Sequence, residues 1–205
     1  MLKVWGRTNS LNVQKALLAI EEIGIPYERT DAGLHFGVNN SPEYRAMNPN
    51  GLVPTIDDDG FILWESNAIV RYLCAKYSAG KMWPVDPQVR AAADRWMDWQ
   101  QTVLLDPIND IFRPLIRKMG DATPEQIEAF CKRCDANMAI LDAVLSAQPW
   151  MTGQVFGMAD CVVVTPVHRW FNLPIARKSF PHLERWYGAI AARPSGQKIL
   201  TVPIT

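Results

Sequence analysis

The sequence predicts a chain of two parts: a small α/β unit with the element order β-α-β-α-β-β-α, and behind it a unit built only of helices. Three observations carry that expectation. Short strand-like runs occur only before Glu65, Gly and two prolines interrupt every periodicity between Ser78 and Pro87, and beyond that break apolar residues recur only at helical spacing. A chain of 205 residues accommodates two modest domains of about 100 residues each. We draw them as residues 1–78, a linker at 79–87, and 88–205.

Residues 2–5 (LKVW) read as a first strand and GRTN as the loop after it. A helix begins near Ser10 or Leu11, because Val13, Ala16, Leu17, Ile20 and Ile23 share one face; Gly24 supplies its stop and Pro26 blocks continuation. Residues 27–30 (YERT) form a second strand, and the strand-helix-strand opening makes the pair parallel. Ser41-Pro42-Glu43 supplies an N-cap, a first-turn proline and an acid that complements the helix dipole, opening a short helix to Met47. Asn48-Pro49-Asn50-Gly51 is a turn, after which VPTID and FILW pair as a hairpin around Asp58-Asp59-Gly60. Pro54 is read at the start of an edge strand, where its missing N–H is harmless. Glu65-Ser66-Asn67 then caps a helix carrying Ile69, Tyr72 and Leu73 on one side. This order is the thioredoxin-like arrangement. In the second part RAAADRWMDWQQ is a long helix, and Thr123-Pro124-Glu125-Gln126 is a capping box that opens another. ADCVVVTPVHRW is apolar nearly all round, which predicts a buried central helix bent at Pro166.

Lysine plus arginine equals aspartate plus glutamate at 21 each, so no overall field draws the chain to nucleic acid or to an anionic membrane. No apolar run approaches the roughly 20 residues that span a bilayer, and MLKVWGRTNS lacks a charged-then-apolar leader, so the expected compartment is the cytoplasm. The cysteines, Cys74, Cys131, Cys134 and Cys161, fall in helix interiors, the pattern of reduced buried thiols. Cys131 and Cys134 form a C-x-x-C, but inside a helix and not at a helix start after a strand, where a redox pair has its pKa lowered. His35, His168 and His182 are scattered, and no zinc-spaced cluster, G-x-S-x-G, dinucleotide fingerprint or phosphate loop is present; no metal is expected.

Three segments carry the chemistry: Ser10-Leu11-Asn12-Val13-Gln14-Lys15 after the first strand, Asn48-Pro49-Asn50-Gly51-Leu52-Val53-Pro54, and Trp64-Glu65-Ser66-Asn67-Ala68-Ile69. In this order and spacing they resemble the cytosolic glutathione S-transferases, in particular bacterial members with a serine-type site, and the likeness covers essentially the whole chain. The first segment also makes sense alone. A hydroxyl between a strand and a helix start lies where backbone N–H groups and the positive end of the helix dipole converge, and an anion is stabilised there. As an ordinary N-cap Ser10 would use the same geometry. The loop contains no cysteine, so a sulfur nucleophile has to arrive with the substrate, which points to glutathione as cosubstrate.

The resemblance implies that Ser10 activates the glutathione thiol, with Asn12 beside the sulfur and Thr8 as a further hydroxyl. It implies that Val53-Pro54 is a cis bond exposing the backbone of Val53 to the cysteinyl amide of glutathione. It implies that Glu65 and Ser66, with the helix amides, hold the zwitterionic γ-glutamyl end. Where many serine-type members carry basic residues for the glycyl carboxylate, this chain offers Asn39 and Asn40, with Arg113 as a cation that could assist. Asn109, Phe112, Arg113 and Trp170 are candidates for the acceptor side of the cleft, although the aromatics fit a core equally well. Gly157 stands where the family's buried helix has a Ser or Thr cap, leaving Asp160 to accept from the helix-start amides. The implied activity is addition of the thiolate to a small hydrophobic electrophile by a homodimer. A glutathione-dependent disulfide or peroxide reductase, and a non-catalytic binding module on the same fold, are the other readings.

Overall fold

The computed structural model describes residues 1–205. Strands β1 (Leu2–Trp5), β2 (Tyr27–Thr30), β3 (Thr55–Asp58) and β4 (Phe61–Trp64) form one sheet in the order β2-β1-β3-β4. β1 runs parallel to β2, with Leu2 opposite Tyr27, and antiparallel to β3, with Val4 opposite Ile56. The hairpin pairs Asp58 with Phe61. The strand after Pro54 is therefore interior and not an edge, which corrects the sequence expectation, and it starts at Thr55, not Val53. Pro54 is tolerated because Thr55 is the first residue to pair with both Trp5 and Trp64, so no ladder bond needs a proline N–H.

Helices α1 (Leu11–Ile23), α2 (Pro42–Met47) and α3 (Ser66–Tyr77) complete the first part. Gly24 ends α1 at φ 80°, its N–H bonded to Ile20 O, a conformation that favours glycine. The Ser41 hydroxyl caps α2 by accepting from Tyr44 N. Val13, Ala16, Leu17 and Ile20 are fully buried, and α1 packs against both α3 and a helix of the second part, α7 (Met158–Phe171), within one continuous apolar core. The cleft described below lies along that junction.

The second part opens with α4 (Pro87–Trp99), so Pro87 is the first residue of a helix, capped by Asp86 through Gln88 N and Val89 N. A π-helical turn, Gln100–Leu104, joins α4 to α5 (Leu105–Leu115). Such turns often interrupt a helix at functional positions, and here the turn lies beside the start of α3. Then follow α6 (Pro124–Ala147), α7, α8 (Pro181–Ala191) and α9 (Pro194–Ile199). The α6 capping box is formed, with Gln126 N donating to Thr123 Oγ1 at 3.3 Å and Thr123 N to Gln126 Oε1 at 2.8 Å. α7 is buried from Met158 to Trp170. Pro166 cannot donate to the Val162 carbonyl, which instead accepts from Thr165 Oγ1 at 3.2 Å.

Fully buried Asp160 holds the start of α7, but only one of its donors is a helix-start amide, Gly157 N at 3.0 Å. The others are Met151 N at 2.7 Å, Thr152 N at 3.2 Å and the α8 indole Trp186 Nε1 at 2.7 Å. A Cβ on Gly157 would lie 2.8 Å from Thr152 Oγ1 and 2.7 Å from its Cγ2. Thr152 thus fills the space of the missing cap side chain. No helix is long and apolar enough to cross a membrane.

Candidate active site

Ser10 occupies the N-cap position of α1 with extended backbone (φ −82°, ψ 120°), yet its side chain makes no cap hydrogen bond. Its backbone is engaged, N to Arg7 O at 3.2 Å and O from Gln14 N at 2.9 Å, which fixes the residue while leaving the hydroxyl uncommitted. The residue is 7% exposed and lines a cleft of about 160 Å³ together with Asn12, Asn109, Phe112 and Arg113. The first amides of α1, which have no intrahelical acceptor, gather at the same place.

Asn12 also lines an adjoining cleft of about 130 Å³, walled by Val53, Pro54, Glu65 and Ser66. The Val53-Pro54 bond is cis, and neither the N–H nor the C=O of Val53 is hydrogen bonded. A backbone donor and acceptor are thereby presented to whatever fills the cleft. Glu65, just before α3, has φ 73° and ψ 110°, a region that non-glycine residues adopt rarely and mostly at functional positions. No side chain caps α3, which corrects the capping role expected of Glu65-Ser66-Asn67. The Asn67 amide is used elsewhere, donating to Met97 O at 2.7 Å, and Ser66 Oγ donates to Asn12 Oδ1 at 3.3 Å. Two uncapped helix starts, α1 and α3, border two clefts that share Asn12.

Lys15 links these elements, although the motif reading gives it no role. It is fully buried, with Nζ 3.5 Å from Ser66 Oγ, 3.1 Å from Asn67 Oδ1 and 3.3 Å from Gln101 Oε1 of the π turn. Burial lowers its pKa to about 7, against the opposing pull of Glu65 and with a smaller push from Arg169. The folded protein then holds fewer protons than the unfolded chain between pH 7 and the ordinary lysine value of 10.5. Stability conferred at this position therefore rises with pH across that window and is flat below it. The urea midpoint of the wild type, minus that of Lys15→Met, should climb between pH 7 and about pH 9; a pH-independent difference would refute the assignment.

Some expected residues are not brought together. Asn40 is exposed and forms no part of either wall. Its neighbour Asn39 has a structural task, donating to Gly51 O at 2.7 Å and so pinning the loop to the turn before Val53. Trp170, 1% exposed, belongs to the core, where it packs on Phe171 and Phe180. In contrast, Asn109, Phe112 and Arg113 all line the cleft at Ser10. The motif reading gives no role to Arg7, Arg117 and Arg169, which line the same cleft, or to Asn48, Asn50 and Gln101 on the adjoining one, although Asn48 and Asn50 stand inside its second segment. Signals for two of the arginines existed: Arg7 shares the loop of Ser10, and Arg117 follows Arg113 by four residues. Only three of the ten residues around the first cleft are hydrophobic, which departs from the apolar acceptor site that was expected.

None of the four free cysteines lines either cleft. Burial pushes the thiols of Cys74 and Cys134 up to about 12 and that of Cys161 far above its ordinary value, while Cys131 is raised as well. None is therefore a thiolate at neutral pH. A separate cavity of about 560 Å³ lies between residues 80–96 and 148–155 and contains none of the motif residues.

A thioredoxin-like sheet joined to a helical unit is the architecture expected of the glutathione transferases. Residues 1–75 match the model of the glutathione S-transferase N-terminal domain and residues 124–189 that of the C-terminal domain. Over 208 aligned residues, covering 100% of both chains, the protein is 42% identical to glutathione S-transferase GstB of Escherichia coli. It is similar to the crystal structure of the theta class glutathione S-transferase from Xanthomonas axonopodis pv. citri with glutathione bound, at a TM-score of 0.91 and 40% identity, covering 100% of this chain and 99% of that one. A glutathione S-transferase from Pseudomonas fluorescens matches with a TM-score of 0.84 and 25% identity, over 99% and 98% of the two chains. The chain belongs to the glutathione S-transferase family and is an enzyme of that class.

Proposed function

We propose that this transferase binds glutathione along the groove with the sulfur at Ser10, whose hydroxyl donates to the thiolate and readies it for attack on an electrophile. The observation that carries the reading is the uncommitted Ser10 hydroxyl at an uncapped helix start, in a groove that no protein cysteine lines. Lowering a thiol pKa by about two units from ~8.5 requires about 2.7 kcal/mol of preference for the anion. One hydrogen bond to a charged acceptor contributes about 1.5 to 3 kcal/mol and a helix dipole about 0.3 to 1, so Ser10 and α1 suffice. Asn12 orients the site: it accepts from Ser66 and stands between the two clefts.

The adjoining cleft suits the rest of the tripeptide. The unpaired N–H and C=O of Val53 match the cysteinyl amide in strand-like pairing. The uncapped amides of α3 and Ser66 suit the γ-glutamyl carboxylate, and Glu65, held against them by its unusual backbone, suits the γ-glutamyl ammonium. Reaction then needs no covalent enzyme intermediate, only an activated thiolate and two approximated substrates. By the family resemblance we read the enzyme as a homodimer, and the free thiols suit the reducing cytoplasm.

Titration calorimetry tests the binding half of this reading. Wild type should bind glutathione, and Glu65→Gln should weaken it by roughly tenfold or more, the loss of one charge-assisted hydrogen bond. Absence of binding heat in the wild type, or equal affinity in the variant, would reject the placement.

A further inference from the structure

The geometry points to an acceptor that carries its own carboxylate, an anionic electrophile seated on Arg7, Arg113, Arg117 and Arg169 beside Ser10. This rests on the reading that glutathione's sulfur lies at Ser10 and the tripeptide in the adjoining cleft. The chain has no net charge, yet these guanidinium groups converge on one cleft of about 160 Å³ that no acidic side chain lines. Arg7 is 8% exposed and its buried Nε has no partner. It is brought in by Gly33, whose Cβ, had it one, would lie 2.7 Å from Nη1. Arg169, also 8% exposed, lies 3.9 Å over the Phe112 ring and donates to Asn109 Oδ1 at 2.7 Å. Arg117 lies 5.0 Å from the same ring and donates to the Thr205 main-chain oxygen at 3.0 Å. Arg113 is exposed at the rim.

Buried like charges repel one another. Burial, then Arg117, Arg7 and Arg113, lower the pKa of Arg169 to about 9, and Arg7 and Arg117 are lowered for the same reasons. An arriving carboxylate relieves this repulsion and meets planar donors that match it two by two. The adjoining cleft accounts for the γ-glutamyl carboxylate, and the arginines stand beside Ser10, at the sulfur end where the second substrate has to arrive, so the anion is assigned to that substrate; the glycyl carboxylate is the competing source, which the glutathione affinities below separate. The size of the cleft restricts that substrate, since a cavity of about 150 Å³ takes a single benzene-sized ring. For an aryl halide the thiolate forms a C–S bond at the halide-bearing carbon, and the C–halogen bond then breaks, the halide leaving with its electron pair. The proton of the thiol has gone to solvent.

The experiment compares 4-fluoro-3-nitrobenzoate with its neutral isostere 4-fluoro-3-nitrobenzamide, each rate divided by its uncatalysed rate with glutathione. Glutathione affinity is measured by calorimetry on the same preparations. Wild type should favour the carboxylate. The Arg113→Gln change should lower kcat/KM, through KM, by roughly ten- to a hundredfold more for the carboxylate than for the amide, and be rescued in part by Arg113→Lys. No preference in wild type, or equal losses on both acceptors, would overturn the anionic acceptor; equal losses would mean that the arginines act on the thiolate. A fall in glutathione affinity in Arg113→Gln would also overturn it, by assigning the cleft to glutathione's glycyl carboxylate. Absence of glutathione binding in the wild type would overturn the parent reading, and this inference with it.

Discussion

Ser10→Ala should lower kcat by roughly 10²-fold, the loss found when one donor to a developing or stabilised anion is removed from a water-poor site. Glutathione affinity should change little, because the γ-glutamyl and cysteinyl contacts are made elsewhere on the groove. Nothing in the fold depends on the hydroxyl: it makes no cap hydrogen bond, and α1 is held by its apolar face against α3 and α7. The variant should therefore fold normally, and a change in turnover can be attributed to chemistry. Ser10→Thr keeps the donor but adds a methyl group in a residue that is already 7% exposed, so it should recover part of the rate. Steady-state kinetics with saturating glutathione checks both, and wild-type kcat in Ser10→Ala would remove Ser10 from the mechanism.

Asp160→Ala should have the largest effect on stability, a loss of about 3 to 5 kcal/mol. Four donors converge on this one buried carboxylate: three main-chain amides and the Trp186 indole. Each buried donor left without an acceptor costs about 1 to 3 kcal/mol, partly recovered if water enters the space. A domain is stable by only about 5 to 15 kcal/mol in total. Asp160→Asn keeps one acceptor oxygen and turns an NH₂ group toward the remaining donors, so it should lie between wild type and alanine. Urea unfolding reads both, with the midpoint falling and the slope unchanged. A wild-type midpoint in Asp160→Ala would show that the donors are satisfied by other means. The site should suffer only indirectly, because α7 packs on the back of α1.

Much of this arrangement is legible in the residues. The apolar face of α1 and its Gly24 stop, the Thr123-Gln126 box and the all-round apolar α7 each follow from local rules that the packing has no cause to override. The groove residues Ser10, Asn12, Val53, Glu65 and Ser66 were legible through motif spacing, which fixes their place at element ends. Other features depend on tertiary contacts that no window of sequence carries. The π turn at Gln100–Leu104 holds neither Gly nor Pro, and one extra residue per turn barely disturbs a helical period. Sheet order was misread at Pro54 because local pattern does not say which strands flank it.

Cations were the other blind spot. Periodicity treats Lys and Arg as solvent-facing, which holds for most of them. Lys15, however, follows Leu11 by four residues and precedes Leu18 by three, on a face where both leucines are buried. That spacing was a usable sign of a buried lysine. Arg169 stands inside the apolar run of α7 in the same way, and its neighbours in the cleft come from the first loop, from α5 and from the turn just after it. Their convergence is a property of the fold alone.

The most direct test of the account follows the ultraviolet absorbance of the glutathione thiolate bound to the enzyme as a function of pH. In the wild type the bound thiol should ionise about two units below its free value of ~8.5, and in Ser10→Ala the transition should return most of the way toward that value. A bound thiol that ionises at the free value in the wild type, or at the same depressed pH in both proteins, would contradict the claim that the first turn of α1, through Ser10, holds a substrate thiolate.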